Sequence, residues 1–194
     1  MGTKIERTPW QRIARRIRVP LGFVTAGVFL VFAKPEPRWL LVSLVAVVPG
    51  LSLRAYAAGY VKKNAELTQT GPYAYTRNPL YLGSMLIAFG FALAAGRIWL
   101  GVLLVLLFLA IYWPTIRSEE QYLRGVFPDF EEYAGRVPRL LPRLTPARVV
   151  SGENTGMGRF SPERYRHHRE YNSVMGAGAL YAALLLRLWW AHQR

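Results

Sequence analysis

A chain of 194 residues suits one domain, and the absence of Cys excludes disulfides, a thiolate nucleophile and cysteine-ligated metal. Hydrophobic residues make up 52% and charged residues 19%, yet mean hydropathy is only +0.14. Apolar spans diluted by basic connections give that mixture, and the net charge of +14 lies beside those spans with no groove-reading motif, which sets nucleic acid aside in favour of anionic lipid headgroups.

The chain opens with Lys4, Arg7, Arg12, Arg15, Arg16 and Arg18, with Ile5, Trp10, Ile13 and Ile17 at roughly helical spacing among them. This predicts an interfacial amphipathic helix over residues 1–18, apolar side down and arginines toward phosphates. No small-residue cleavage site follows, so the stretch does not read as a removed signal.

Five apolar segments follow, at 19–33, 39–60, 80–95, 98–113 and 174–190. A spanning helix needs about 20 residues, so three of them reach span length only by borrowing flanking residues. Pro49-Gly50 should kink the second segment, and Arg54 a turn beyond is either functional or snorkels to the headgroups. Lys and Arg concentrate in the N-terminal stretch, the 61–79 connection and the 116–173 segment, which places those three on the cytoplasmic side. The expected molecule is an all-α polytopic protein with about five transmembrane helices and cytoplasmic helices over a site. One domain fills 1–194: residues 66–142 form its core signature, 143–173 a basic cytoplasmic connection and 174–190 the last span. Trp189 and Trp190 would anchor that span at the interface, with Arg187 snorkelling.

The Gly96-Arg97 connector makes the third and fourth spans antiparallel neighbours, which brings 77–81 beside 117–120. Pro79 suits the first residue of a helix, whose free N–H groups and positive dipole end accept a carboxylate or phosphate. Arg77 adds charge, Asn78 a donor and an acceptor, and Tyr73, Tyr75 and Tyr81 aromatic walls. Glu119 and Glu120 are either a solvated pair balancing Arg117 and Arg124 or acids placed for an amine or a sulfonium. Tyr122, Leu123, Val126, Phe127, Phe130 and Tyr133 form an apolar stripe, read as a surface helix over the site, broken at Pro128 and ended before Pro138.

Gly71-Pro72-Tyr73-Ala74-Tyr75-Thr76-Arg77-Asn78-Pro79-Leu80-Tyr81-Leu82-Gly83, followed by Glu119-Glu120, Phe127, Tyr133 and Val137-Pro138-Arg139-Leu140-Leu141-Pro142, resembles the isoprenylcysteine carboxyl methyltransferase and phospholipid methyltransferase superfamily. The resemblance implies an integral membrane enzyme that uses S-adenosyl-L-methionine. It places cofactor contacts at Leu67, Thr68, Tyr73, Asn78, Pro79, Tyr81 and Glu119. The catalytic set it implies is Glu120 and Arg117, nearest the reacting group, with Arg77; no metal is called for. Two departures stand out: Asn78 occupies a position where relatives often carry His, and Phe127-Pro128 replaces Phe-Gly. The substrate-side Arg of the family has no clear match, with Arg117 the nearest candidate.

The acceptor is left open among a phospholipid amine, an isoprenylcysteine-type carboxylate and a small thiol. An amine must lose a proton, for which Glu120 is the expected base, whereas a carboxylate or thiolate arrives ionised. The basic residues of 136–169 tilt the reading toward a phospholipid. The expected setting is the cell (inner) membrane with the site facing the cytoplasm. Competing readings are an NADPH-dependent sterol-type reductase, against which the acid pair argues, and a non-catalytic membrane scaffold. Gly152, Gly156 and Gly158 mark a loop without the residues of a phosphate-binding P-loop. Ser161-Pro162-Glu163 is expected to start a helix running through Asn172, with His167 and His168 facing apart on it.

Overall fold

The computed structural model describes residues 9–62, 66–148 and 158–193. Eight α-helices follow one another among these residues: α1 (Pro9–Phe32), α2 (Pro37–Tyr60), α3 (Pro79–Ala94), α4 (Ile98–Leu107), α5 (Trp113–Val126), α6 (Phe130–Arg136), α7 (Pro162–His167) and α8 (Tyr171–His192). A 3-10 turn at Gly71–Ala74 precedes α3, and a π turn at Phe108–Tyr112 joins α4 to α5. Three helices are long and apolar enough to cross a membrane: Pro37–Tyr60, Ile98–Val126 and Tyr171–Ala191. Two apolar helices are shorter, Pro20–Phe32 and Pro79–Ala94. At 1.5 Å per residue α3 is only about 24 Å long, short of the roughly 30 Å hydrocarbon layer.

Two boundaries differ from the sequence expectation. The basic stretch is not a separate interfacial helix from Pro9 onward, because α1 runs unbroken from Pro9 through Pro20 into the first apolar segment. The start of that predicted helix, at 1–8, lies outside the described residues. The fourth apolar segment likewise does not stop at Trp113, since α4, the π turn and α5 make one rod of 29 residues. The π turn ends at Tyr112, two residues before Pro114, and widens the helix where the proline ring would press on the carbonyl four residues back. Glu119 and Glu120 therefore sit on the same rigid rod as the apolar span.

The core forms where α2 and α3 lie side by side. A Cβ on Gly50 would stand 2.8 Å from the Gly83 carbonyl oxygen, and one on Gly90 2.8 Å from that of Ser43, so the backbones meet across glycines. Around that seam Phe29, Leu40, Val47, Phe91, Leu100 and Leu184 are buried. Phe23, Val45, Val48, Val102, Val105, Leu106 and Leu186 face outward on the spans, as a lipid-facing surface requires. Both connectors at the far end meet: the Lys34 N–H donates to the Ala95 carbonyl at 2.8 Å, beside Gly96, which takes a left-handed φ of 62°. Arg187 does not snorkel free; it donates to the Leu30 carbonyl of α1.

Ser161 caps α7 by accepting from the Arg164 N–H at 3.2 Å, but the helix stops at His167. Arg169, at φ 53°, turns the chain before α8, so the expected helix through Asn172 is two helices. Because His168 lies past the helix end, its ring meets that of His167 edge to face at 5.5 Å instead of facing away. Arg164 is spent on the end of α2, donating to the Tyr60 carbonyl at 2.9 Å.

Candidate active site

The turn before α3 is held by a strap that runs on from α6. The Arg77 N–H donates to the Pro138 carbonyl, the Arg143 N–H to Tyr75 and the Ala147 N–H to Ala74, each at 2.9 Å. Thr76, fully inside, donates to the Leu140 carbonyl at 3.0 Å, and the Asn78 side-chain amide donates to that of Arg139 at 2.9 Å. The Val137–Pro142 motif thus fixes the Arg77-Asn78-Pro79 turn from above. Tyr133 of α6 completes the clamp, its hydroxyl donating to the Tyr73 carbonyl at 2.8 Å. Phe130, Tyr133 and Val137 pack there with Leu67, Leu123 and Phe127, while Tyr122 and Val126 of the predicted stripe are exposed.

Beneath the strap lies a cavity of about 510 Å³ at one end of the helix bundle. Nine of the ten residues singled out in the sequence line it: Leu67, Thr68, Tyr73, Arg77, Asn78, Pro79, Tyr81, Glu119 and Glu120. Arg117 does not; it is exposed on α5, its guanidinium 5.4 Å from the Trp113 ring centre. The α3–α5 apposition expected from the short connector is present. The Tyr81 hydroxyl donates to Glu119 Oε1 at 2.9 Å, and Asn78 Nδ2 donates to Glu120 Oε1 at 3.3 Å.

The two adjacent acids have different surroundings because they leave the helix about 100° apart. Glu119 is exposed toward the cavity mouth, with the Tyr81 hydroxyl on one oxygen. Glu120 is buried, and Arg139 grips Oε2 through Nε at 2.9 Å and a terminal nitrogen at 2.8 Å. Arg77 Nε stands 3.6 Å from the other oxygen and is itself buried without a hydrogen-bond partner. Arg139 stood in the quoted motif without an assigned role, and its pairing with Glu120 makes it the site residue that the sequence left unmarked. Burial pushes the Tyr73 phenol well above its ordinary range, reinforced by the negative charges of Glu119 and Glu170 against the counter-pull of Arg54. Tyr133 is raised likewise, chiefly by burial. Both phenols therefore stay protonated at neutral pH.

Arg54 does not reach out to the headgroups. Its Nε and one terminal nitrogen fork onto Glu170 at 3.1 and 2.8 Å, and the other terminal nitrogen donates to the Leu80 carbonyl and to Ser84. This half-buried knot ties α2, α3 and the start of α8 together. On its apolar side lies a second cavity of about 450 Å³ among the spans, lined by Phe29, Arg54, Ile87, Leu104, Phe108 and Leu180 among others. The partition between the cavities is the first turns of α3. Leu80 and Tyr81 border the polar cavity and Ser84 the apolar one, with the Tyr81 and Tyr112 rings in edge contact at 5.7 Å across the divide.

Among known proteins, the phospholipid methyltransferase family profile matches residues 50–129, the stretch that supplies the α3 turn and the acid pair. A cobalt-zinc-cadmium resistance protein of Cupriavidus metallidurans is 33% identical over 71% of this chain and 66% of its own length. A nickel-cobalt-cadmium resistance protein of Alcaligenes xylosoxydans is 30% identical over 79% of the chain and 78% of its own. The protein-S-isoprenylcysteine O-methyltransferase of Schizosaccharomyces pombe is 31% identical over 53% of the chain and 44% of its own length. The chain belongs to the isoprenylcysteine carboxyl methyltransferase and phospholipid methyltransferase superfamily. It is an integral membrane protein of that methyltransferase family. No solved structure matches it. Among the described residues no three His, Cys, Asp or Glu side chains are grouped to hold a metal ion.

Proposed function

We propose that the protein transfers a methyl group from S-adenosyl-L-methionine, bound in the 510 Å³ cavity, to a lipophilic acceptor in the 450 Å³ cavity. The observation that carries this reading is the charge of the first cavity. Among the described residues that line it, two are cations, Lys62 and Arg77, and three are carboxylates, Glu66, Glu119 and Glu120. Lys62 pairs with Glu66 at 2.9 Å and Arg77 lies beside Glu120, which leaves Glu119 as the lining carboxylate with no ion-pair partner among the described residues. A sulfonium ligand is favoured there, and the phosphates of NADPH are repelled, which speaks against a reductase. A scaffold would need neither cavity. The volume falls within the roughly 300–1,000 Å³ of small-molecule sites.

When bound, the cofactor would supply an electrophilic methyl on positively charged sulfur, with the neutral thioether as the leaving group. Leu67, Thr68, Tyr73, Asn78, Pro79 and Tyr81 are the residues that would hold it, with Glu119 countering its charge. Tyr81 orients Glu119 by its hydroxyl and forms the partition with its ring, so one residue places both sides of the reaction. Glu120 has its oxygens engaged by Arg139, Asn78 and Arg77, and we assign it to holding the turn. Glu119, with an open oxygen, is the better-placed proton acceptor should the acceptor lose one. Arg117 and the basic start of α1 are proposed to meet anionic lipid, with the site on the cytoplasmic face of the cell membrane. Likeness to two proteins named for metal resistance supports a setting in which the methylation accompanies metal tolerance.

Membranes carrying the protein, incubated with S-adenosylmethionine labelled in its methyl group, should incorporate label into an extractable, apolar product. Tyr81→Phe should lower that incorporation about tenfold, the loss of one hydrogen bond to a charged group. Unlabelled extracts across conditions where the protein binds the cofactor would contradict a lipophilic acceptor.

A further inference from the structure

The apolar cavity has a polar end, and its hydrogen-bond capacity defines the headgroup it accepts. Among the described residues that line it, Arg54 is the one charged side chain. Its guanidinium is already committed: Nε and one terminal nitrogen to Glu170, the other terminal nitrogen to Leu80 and Ser84. The Ser84 hydroxyl spends its proton on the Leu80 carbonyl at 2.9 Å while accepting from Arg54. The Ser173 hydroxyl spends its proton on Glu170 at 3.2 Å and accepts from Arg54 Nε at 3.2 Å. A hydroxyl has one proton and two lone pairs, so each serine retains one lone pair and no donor. Thr25 and Tyr112 add hydroxyls to the wall but no charge. An anionic headgroup would find the guanidinium neutralised by Glu170 and that carboxylate close by, whereas an uncharged donor meets open lone pairs.

We propose that Arg54, Glu170, Ser84 and Ser173 form a headgroup-binding set that selects acceptors with an uncharged hydrogen-bond-donating head, an alcohol, phenol or neutral amine, on a single apolar body. The inference rests on the assignment of this cavity to the acceptor. It adds to that assignment the exclusion of carboxylate- and phosphate-headed lipids from this end, with Glu170 as the excluding group. The volume of about 450 Å³ suits one slender chain or a ring system, since a second acyl chain would have to remain in the bilayer. Glu170 follows the left-handed Arg169 and precedes the first turn of α8, so its position is set by the backbone turn and by Arg54 together.

The test uses the full chain in nanodiscs and two photoreactive probes that share one diazirine-bearing alkyl chain, a fatty alcohol and an alkyl sulfonate that stays ionised in the bilayer. The alcohol should label cavity peptides containing Phe29, Phe108 or Leu180 at least about tenfold more than the sulfonate, the discrimination expected against an unmatched buried charge. Glu170→Gln releases Arg54 and should raise sulfonate labelling by about tenfold, to about the level of the alcohol. Ser173→Ala, which keeps the ion pair, should lower alcohol labelling a few-fold and leave the sulfonate excluded. Equal labelling by both probes in the native chain, sulfonate exclusion unchanged in Glu170→Gln, or no cavity labelling by either probe would each overturn the proposal. Binding of S-adenosylmethionine on the same preparation separates this failure from failure of the methyltransferase reading, because the labelling requires no methyl transfer.

Discussion

Glu120 is 4% exposed and accepts from Arg139 and Asn78, with Arg77 Nε at 3.6 Å. A buried carboxylate of this kind costs several kcal/mol to desolvate and is tolerated only while its partners remain. Arg139→Ala should therefore destabilise the fold by about 1–3 kcal/mol, below the full cost of a broken buried pair because Arg139 is one-third exposed and Arg77 remains. In a Glu120→Gln background the same substitution should cost clearly less, as read by thermal unfolding in detergent. An equal cost in both backgrounds would mean that Arg139 acts through its packing on Trp113, whose ring lies 5.4 Å from its guanidinium. The acids at 119 and 120 were legible in the sequence as a pair, but their division of labour was not. Which of two neighbours points inward depends on the phase of a helix that proved continuous from Ile98, and Pro114 conceals that continuity in the sequence.

Among the elements, α6 and the 3-10 turn close the polar cavity as a unit, joined by the Tyr133 hydroxyl on the Tyr73 carbonyl. Both phenols are raised well above the usual value of about 10, mainly by burial. A group whose folded-state pKa lies above its unfolded value contributes stability that is complete below the unfolded pKa and fades above it. The clamp should thus hold at full strength up to about pH 10 and weaken progressively beyond. Absorbance near the tyrosinate band should show these two rings titrating only with unfolding, and Tyr133→Phe should remove part of the alkaline loss. Free titration of every tyrosine before any loss of helix would contradict this. The α3 hairpin, the break at Pro128 and the end before Pro138 were readable because proline and a two-residue connector act locally. The strap was not, since its bonds join residues 60 and more apart in sequence, such as Arg77 to Pro138 and Thr76 to Leu140. Gly83 looked like part of a binding motif, whereas its missing Cβ admits Arg54 and the Gly50 carbonyl.

At the scale of the molecule, two cavities share one thin partition, the first turns of α3, which Arg54 braces from one side and the strap from the other. Under the proposed function, cofactor and acceptor would reach that partition from opposite sides, which would account for a polar motif at the end of an apolar hairpin. The central claim is that the polar cavity receives S-adenosylmethionine. Its most direct test is titration of the purified protein in nanodiscs with S-adenosylmethionine and, separately, with NADPH, followed by calorimetry. We predict binding of S-adenosylmethionine at micromolar affinity, weakened about tenfold in Glu119→Ala with the fold intact, and no heat from NADPH. Binding of NADPH without S-adenosylmethionine, or S-adenosylmethionine affinity indifferent to Glu119, would contradict the account.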